Sequence, residues 1–139
     1  MVQMIVGQKG KGKTKELLDK VNREILTASG NIVYLDKSAK HMYELNNKVR
    51  MIDVSLFPIH STDAFLGFVS GILSQDHDLM QMYFDSFLKI ASVDNSALVD
   101  TVNKLDELSK AFHVDFILSV SLDASEIPAA IEDKIIIAL

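Results

Sequence analysis

Close to its amino terminus the chain contains the octapeptide Gly7-Gln8-Lys9-Gly10-Lys11-Gly12-Lys13-Thr14, which satisfies the pattern G-x-x-x-x-G-K-[ST] at every fixed position. A loop that wraps phosphate groups must turn its backbone N–H groups inward, and glycine permits both the dihedral angles and the close approach that this requires. A helix that follows such a loop points its positive dipole end at the same anion. The octapeptide, here called the Gly7–Thr14 loop, therefore predicts a phosphate-binding site.

The residues on either side of this loop have the pattern that a phosphate-binding loop requires. Residues 2–6 form a short apolar run that predicts a buried strand ending at Gly7. From Lys13 to about Thr27, apolar residues recur on one helical face and charged residues on the other, which predicts an amphipathic helix. At average residue usage the four fixed positions occur by chance in roughly one such chain in a few hundred, and the flanking strand and helix lower that rate further.

The side chains of the loop have distinct predicted roles in binding ATP. Lys13 is expected to reach the β- and γ-phosphates and to take part in catalysis, and the Thr14 hydroxyl is expected to coordinate Mg²⁺. The whole Gly7–Thr14 loop is predicted to form the cofactor-binding segment. Three more lysines raise the positive potential around it: Lys9, Lys11 and Lys15.

Downstream of the first helix, apolar runs and helical patterns alternate along the chain. Strands are predicted at residues 32–35, 50–54, 79–84, 116–120 and 135–139. Helices are predicted at 39–47, from a cap at 61–63 to about 73, after a cap at 94–96, and briefly at 125–133. This alternation is typical of βαβ units. It predicts a three-layer α/β/α P-loop NTPase fold with a mostly parallel sheet of five or six strands, in a single nucleotide-binding domain that spans residues 1–139.

Composition and charge argue against several classes of site and partner. The 139 residues are 48% hydrophobic and contain no cysteine, so one domain with a real core is expected, without disulfides, thiolate metal sites or a cysteine nucleophile. Residues 1–50 carry ten basic and five acidic side chains, whereas residues 51–139 carry four and fourteen. The overall charge of −5 argues against nucleic acid as a partner held by bulk charge. No apolar run reaches the roughly 18 residues of a membrane span, so a cytoplasmic protein without membrane insertion is expected.

An acid at the end of a second buried strand is expected to complete the Mg²⁺ site by holding the ion through water. Asp85 follows the apolar run at 79–84 and is the predicted metal-binding and catalytic acid. Asp36, at the end of the strand predicted at 32–35, is the alternative, although a turn-forming role is preferred for it.

The sequence contains no evident catalytic base. Many ATPases place a glutamate directly after the strand-end acid to polarise the attacking water, but this chain has Ser86 there. Asp94 and Asp123 are alternatives, and each is equally suited to cap a helix or to end a strand. Ser119 and Ser121 share one face of the strand that follows the last long helix, where many P-loop ATPases carry a polar residue that senses the γ-phosphate.

Arginine is confined to the first part of the chain. Nucleoside and nucleotide kinases usually close a basic lid over their phosphates, and no arginine follows Arg50, so a small-molecule kinase is disfavoured. An arginine supplied by a neighbouring subunit is open as an alternative, with Arg23 and Arg50 as its candidates.

The histidines, the polar run at 76–78 and a set of large apolar residues carry weaker signals, and structural roles are predicted for them. The four histidines have no metal-ligand spacing, and the Asp-His-Asp run at 76–78 is typical of a solvated turn. A row of large apolar side chains is predicted to lie in the core, and some of these side chains could instead form a surface for a partner. It comprises Phe57, Phe65, Phe68, Met80, Met82, Tyr83 and Phe87.

Three segments carry a family resemblance: Gly7–Thr14, the following Lys15-Glu16-Leu17-Leu18, and Tyr83-Phe84-Asp85. With them the chain resembles short bacterial P-loop ATP-binding proteins that are often labelled "twitching motility protein PilT". The resemblance implies a cytoplasmic ATP-binding protein. It does not imply a motor, because pilus-retraction ATPases are far larger and have an additional N-terminal domain and arginines that act between subunits. The residues whose roles carry over are Gly7, Gly12, Lys13, Thr14 and Asp85.

The leading hypothesis from the sequence is a Mg²⁺-dependent ATP-binding P-loop protein that acts as a slow or partner-activated ATPase. The alternative is a regulatory or scaffold module that binds nucleotide without turnover, and Ser86 in place of glutamate favours it. A protein partner or self-association is expected in either case. ATP is the expected nucleotide by default and by the resemblance.

Overall fold

The computed structural model of the protein describes residues 1–139, in which strands and helices alternate. The strands are β1 (Val2–Val6), β2 (Asn31–Asp36), β3 (Arg50–Asp53), β4 (Leu79–Phe84), β5 (Asp115–Val120) and β6 (Ile135–Ala138). The α-helices are α1 (Lys13–Glu24), α2 (Thr62–Gln75), α3 (Phe87–Ile90) and α4 (Leu98–Phe112). All six strands lie where the sequence predicts strands, so the predicted α/β alternation is confirmed.

The six strands form one sheet in the order β3-β2-β4-β5-β1-β6, and every neighbouring pair is parallel. The expected mostly parallel sheet of five or six strands therefore has six strands and no antiparallel pair. Because all strands run in one direction, their carboxyl ends meet at a single edge of the sheet. The Gly7–Thr14 loop, which follows β1, lies at this edge.

Helices cover both faces of the sheet. On one face, Leu17 and Val21 of α1 share a buried cluster with Ile5 of β1. On the other face, Phe65 of α2 and Leu105 of α4 belong to the larger buried cluster. The connection through α1 moves toward the β3 side of the sheet and those through α2 and α4 move the opposite way, so crossovers of one hand require these opposite faces. No helix has both the length and the apolar character needed to cross a membrane.

The helix predicted at residues 39–47 is not formed. The segment contains a single 3₁₀ turn, Met42–Glu44, with no buried residue. Met42 and Tyr43 are both exposed, and only Leu45 packs against the buried cluster under α1, so the segment buries too little apolar surface to stabilise a longer helix.

Other helix boundaries differ from the predicted ones by a turn or less. α1 ends at Glu24, before the predicted end near Thr27, and its exposed Leu26 contributes nothing to the core. The helical piece predicted at 125–133 consists of two 3₁₀ turns, Ala124–Glu126 and Ala129–Lys134. The one-turn helix α3 was not indicated by any periodic pattern, since four residues are too few to show one.

The centre of the larger cluster is aromatic. Phe84 at the end of β4 makes edge-to-face contacts with Phe65, Phe87 and Phe116, at ring-centroid distances of 5.7, 6.2 and 5.5 Å. All four rings are fully buried. The predicted core row is thus confirmed for the buried Phe65, Met82, Tyr83 and Phe87. Phe68 is half-buried, and the core prediction is wrong for Phe57 and Met80, which are exposed.

Replacing Phe84 by alanine is expected to destabilise the protein by about 3–5 kcal/mol, because the cavity left by its ring is enclosed by packed strands and helices that cannot collapse into it. The half-exposed Phe112 provides the control, since Phe112→Ala should cost less than about 1 kcal/mol. Urea unfolding followed by circular dichroism measures both. Equal losses in the two variants would contradict the central position assigned to Phe84.

Candidate functional site

A cavity of about 520 Å³ opens at the carboxyl edge of the sheet and is here called the main cavity. Five residues of the Gly7–Thr14 loop line it, together with residues that follow β2, β4 and β5. Eleven of its twelve lining residues are not hydrophobic. Connections from the adjacent strands β1 and β5 leave in opposite directions, and such a switch point is where open α/β sheets form a ligand crevice.

Two glycines of the loop have backbone conformations that other residues rarely adopt. Gly10 has φ 87° and Gly12 has φ 99°, and Gly12 is the residue that caps α1. No side chain caps this helix end, so the first N–H groups of α1 have no side-chain partner. The loop therefore places N–H groups without side-chain partners beside the main cavity, which its residues line.

Lys13 is the most enclosed basic group of the site, with only 8% of the residue exposed. Its Nζ donates to the Gln8 carbonyl at 3.1 Å and makes no ion pair. Burial lowers the pKa of the Lys13 ammonium, and the nearby Asp85 carboxylate opposes that shift. The Lys13 ammonium is thus bound to the backbone of its own loop and is not paired with a carboxylate.

Asp85 follows β4 directly and is the most highly connected side chain of the site. Its Oδ1 accepts from the Thr14 hydroxyl at 3.2 Å and from the Ser119 hydroxyl at 2.9 Å. The Ser86 N–H donates to the same oxygen at 2.9 Å, and the Tyr34 hydroxyl donates to Oδ2 at 2.8 Å. The carboxylate therefore joins α1, β2 and β5, and it contacts the last residue of the Gly7–Thr14 loop.

Ser86, where many ATPases have glutamate, has a left-handed backbone with φ 55° and ψ 49°. This conformation costs a residue other than glycine roughly 1–2 kcal/mol. Its N–H donates to both the Asp85 carboxylate and the Ser119 hydroxyl, each at 2.9 Å. These two hydrogen bonds hold the peptide between Asp85 and Ser86 in place. They thereby offset the strain at Ser86 and fix the orientation of the Asp85 carboxylate.

Asp36, the alternative acid, ends β2 and is buried, with 2% of the residue exposed. Its Oδ1 accepts from the Lys37 N–H at 2.7 Å, but its Oδ2 has no hydrogen-bond partner. Burial raises the pKa of the Asp36 carboxyl, and repulsion from Asp85 raises it further. Asp36 makes no contact with Thr14, so the geometry favours Asp85 as the acid of the loop.

Sequence reasoning missed two lysines of the main cavity, Lys37 and Lys89. Both are exposed, and neither makes an ion pair. Each lies within a few residues of the carboxyl end of a strand, β2 or β4, and this position was the available signal. With Lys9 and Lys13 they give four cations around one lining carboxylate, that of Asp85.

Several predicted residues lie elsewhere. Gln8 directs its side-chain amide away from the cavity, to Asp123 Oδ2 at 3.1 Å and Glu126 Oε1 at 2.8 Å. Asp94 caps a 3₁₀ turn by accepting from the Ala97 N–H. Three more residues do not line the main cavity, namely Gly7, Lys11 and Asp123.

The two arginines also lie outside the main cavity. Arg50 begins β3 at the amino edge of the sheet and pairs with Asp76 at 3.2 Å, and Arg23 is in the last turn of α1. No group of three or more His, Cys, Asp or Glu side chains occurs that could hold a metal ion.

The tetrapeptide Asn103-Lys104-Leu105-Asp106 matches the N-K-x-D pattern associated with guanine recognition. It lies inside α4, where Lys104 pairs with Asp100 at 3.0 Å and Asp106 pairs with Lys110 at 2.9 Å. None of its residues lines the main cavity, so it does not provide a base-recognition loop there.

Comparison of the chain with protein-family models and with curated protein sequences gave no match. The functional interpretation therefore depends on the chemistry of the site alone.

Replacing Tyr34 by phenylalanine tests the buried bonds of Asp85. Burial raises the pKa of the Tyr34 phenol far above its usual value, so the hydroxyl stays protonated and always donates. Its loss leaves the charged oxygen without a donor, and the variant is expected to lose about 1.5–3 kcal/mol of stability in urea unfolding. Tyr43 is 92% exposed, and Tyr43→Phe should leave the unfolding midpoint unchanged.

Replacing Asp36 by asparagine is expected to stabilise the protein at pH 7. A carboxyl whose pKa is raised on folding binds more protons in the native state, so stability falls as pH rises through the ordinary aspartate pKa toward the raised one. The gain from Asp36→Asn should therefore be present at pH 7 and shrink at pH 4. The exposed Asp133 supplies the control variant, Asp133→Asn, with no such pH-dependent gain.

Proposed function

We propose that the protein binds Mg²⁺–ATP in the main cavity and hydrolyses it slowly or when activated by a partner. The observation that carries this proposal is the 3.2 Å hydrogen bond between Thr14 and Asp85, residues 71 positions apart in the chain. It joins the last residue of the Gly7–Thr14 loop to a strand-end acid, which is the pair that holds Mg²⁺ in P-loop NTPases. The Gly7–Thr14 loop is accordingly proposed to be a P-loop.

The charge of the main cavity supports a polyanionic ligand. Lys9, Lys13, Lys37 and Lys89 face a single lining carboxylate, so an empty cavity holds an excess of positive charge. Nucleoside triphosphates carry three to four negative charges at neutral pH and accept hydrogen bonds at every phosphate oxygen. Such a ligand satisfies the unpaired lysines and the free N–H groups at the start of α1 together.

The oxygen donors of the site fit a hard cation. Mg²⁺ prefers oxygen ligands and is usually bound by one or two protein groups, water and substrate phosphates. Thr14 and Asp85 supply a hydroxyl and a carboxylate in contact with each other, and these two residues would hold the ion. When bound, Mg²⁺ supplies charge neutralisation of the β- and γ-phosphates. Ser121 is exposed in the wall of the main cavity, and it is better placed than Ser119 to contact the γ-phosphate, because the Ser119 hydroxyl donates to Asp85.

The rate of turnover depends on a base that the main cavity does not contain. Asp85 is its only lining carboxylate, and its Oδ1 accepts three hydrogen bonds. Intrinsic hydrolysis is therefore slow, and a protein partner or a second copy of the chain would have to complete the site. The same observation favours the second candidate function, a nucleotide-binding regulatory or scaffold module without turnover. Either function fits a cytoplasmic protein of the short bacterial P-loop group.

Binding of ATP with and without Mg²⁺, measured by calorimetry, tests the proposal. Lys13→Ala removes a charged hydrogen bond worth about 1.5–3 kcal/mol and should weaken binding about 10- to 100-fold. Asp85→Asn retains the size of the side chain and should abolish the strengthening of binding by Mg²⁺. Lys48→Ala, an exposed lysine that precedes β3 at the opposite edge of the sheet, should bind ATP normally.

Phosphate release by the same variants separates the two candidate functions. Slow release that is lost in both site variants supports the ATPase. Tight binding without release, lost in Lys13→Ala, supports the regulatory module. Absence of ATP binding by the wild-type protein would refute both.

A further inference from the structure

A second cavity, of about 240 Å³, adjoins the main cavity and is here called the side cavity. The segment 54–60 that follows β3 forms one wall, and Ile90 of α3 contributes to the opposite one. Lys37 and Lys89 line both cavities. The two lysines therefore stand at the boundary between the two spaces, and a ligand on either side can reach them.

The side cavity has an apolar and a cationic part. Its apolar part is formed by Val54, Phe57, Ile59 and Ile90. Phe57 packs on Phe68 with ring centroids 5.3 Å apart, yet it remains 44% exposed. A large aromatic surface left in contact with water at the mouth of a cavity is a contact surface for an apolar group.

The cationic part comprises Lys37, Lys89 and the exposed His60. Neither lysine is paired with an acid, and no carboxylate lines the side cavity. The unpaired ammonium groups beside an apolar wall match a molecule that has both a negative group and a hydrophobic body.

We propose that the side cavity binds a second small molecule, an organic anion in which a single ring carries a phosphate or carboxylate group. The ring contacts Phe57 and Ile59, and the anionic group lies between Lys37 and Lys89. The volume supports one ring, since cavities for drug-sized ligands span about 300–1,000 Å³ and this cavity is smaller.

The position of the side cavity relates it to the nucleotide, and this step depends on the proposed function. Thr14 and Asp85 mark the β,γ-phosphate end of a bound nucleotide. The side cavity lies beyond Asp85, over the ends of β2, β3 and β4. The second ligand and the terminal phosphate therefore share the two boundary lysines, so each anion weakens the binding of the other, and the coupling is reciprocal.

Titration of the full chain with phenyl phosphate, followed by ¹H–¹⁵N NMR without nucleotide, tests the side cavity by itself. Saturable shifts are expected at the backbone amides of residues 54–57, 59, 60, 89 and 90. Lys37→Gln should weaken this binding about tenfold, the loss of one charged hydrogen bond. The exposed Lys40, outside both cavities, provides the matched control Lys40→Gln, which should bind as the wild type does.

Probes that lack one part of the ligand determine which chemistry is recognised. Benzoate in place of phenyl phosphate decides between a carboxylate and a phosphate, and saturable binding of either at residues 54–60 supports the proposal. Benzyl alcohol and inorganic phosphate should not produce saturable shifts at these residues. Shifts confined to the Gly7–Thr14 loop, or equal affinity in Lys37→Gln and wild type, would overturn the proposal.

A Lys13→Ala variant keeps the two proposals distinguishable. It should weaken ATP binding about 10- to 100-fold and leave phenyl phosphate binding unchanged, because Lys13 does not line the side cavity. Phenyl phosphate binding in a wild-type protein that does not bind ATP would refute the nucleotide function and support the side cavity. ATP binding without any ring-anion binding at residues 54–60 would refute the side cavity alone.

Discussion

The carboxylate of Asp85 is the constraint on which the site and much of its surroundings depend. A buried carboxylate is costly unless hydrogen-bond donors satisfy it. Here the donors come from Thr14 of α1, Tyr34 of β2, Ser119 of β5 and the backbone of Ser86. The hydrogen bonds that offset the cost of burying Asp85 also fix the distances between the strand ends, so they stabilise the fold and the site together.

The burial of a second acid, Asp36, at the carboxyl edge of the sheet destabilises the fold. Asp36 is buried with one oxygen unpaired, at the end of the strand next to that of Asp85. Buried like charges of this kind destabilise a fold and are concentrated at functional sites. The lysines nearby make ion pairs with neither acid, so their ammonium groups remain available to an anionic ligand.

Short sequence patterns correctly predict those structural features that depend on neighbouring residues in the chain. The loop motif, the six strands and the strand-end position of Asp85 each follow from a few consecutive residues, and each is where it is predicted. Tyr34 and Lys37 were missed as site residues because their roles depend on β2 lying beside β4, a pairing set by the order of strands in the sheet. The predicted helix at 39–47 failed for a related reason, since Leu45 is the only large apolar side chain of the segment that packs against the core, and the exposed Met42 and Tyr43 add nothing to it.

The Gln8 side chain connects the Gly7–Thr14 loop to the segment between β5 and β6, the two strands that flank β1 in the sheet. Its amide donates to Asp123 and Glu126, in the chain between β5 and the edge strand β6. A loop that changes shape around an anion must therefore break two bonds to carboxylates or displace that connection with it. A change in the shape of the loop is in this way mechanically linked to the segment that leads into β6, one of the two edge strands of the sheet.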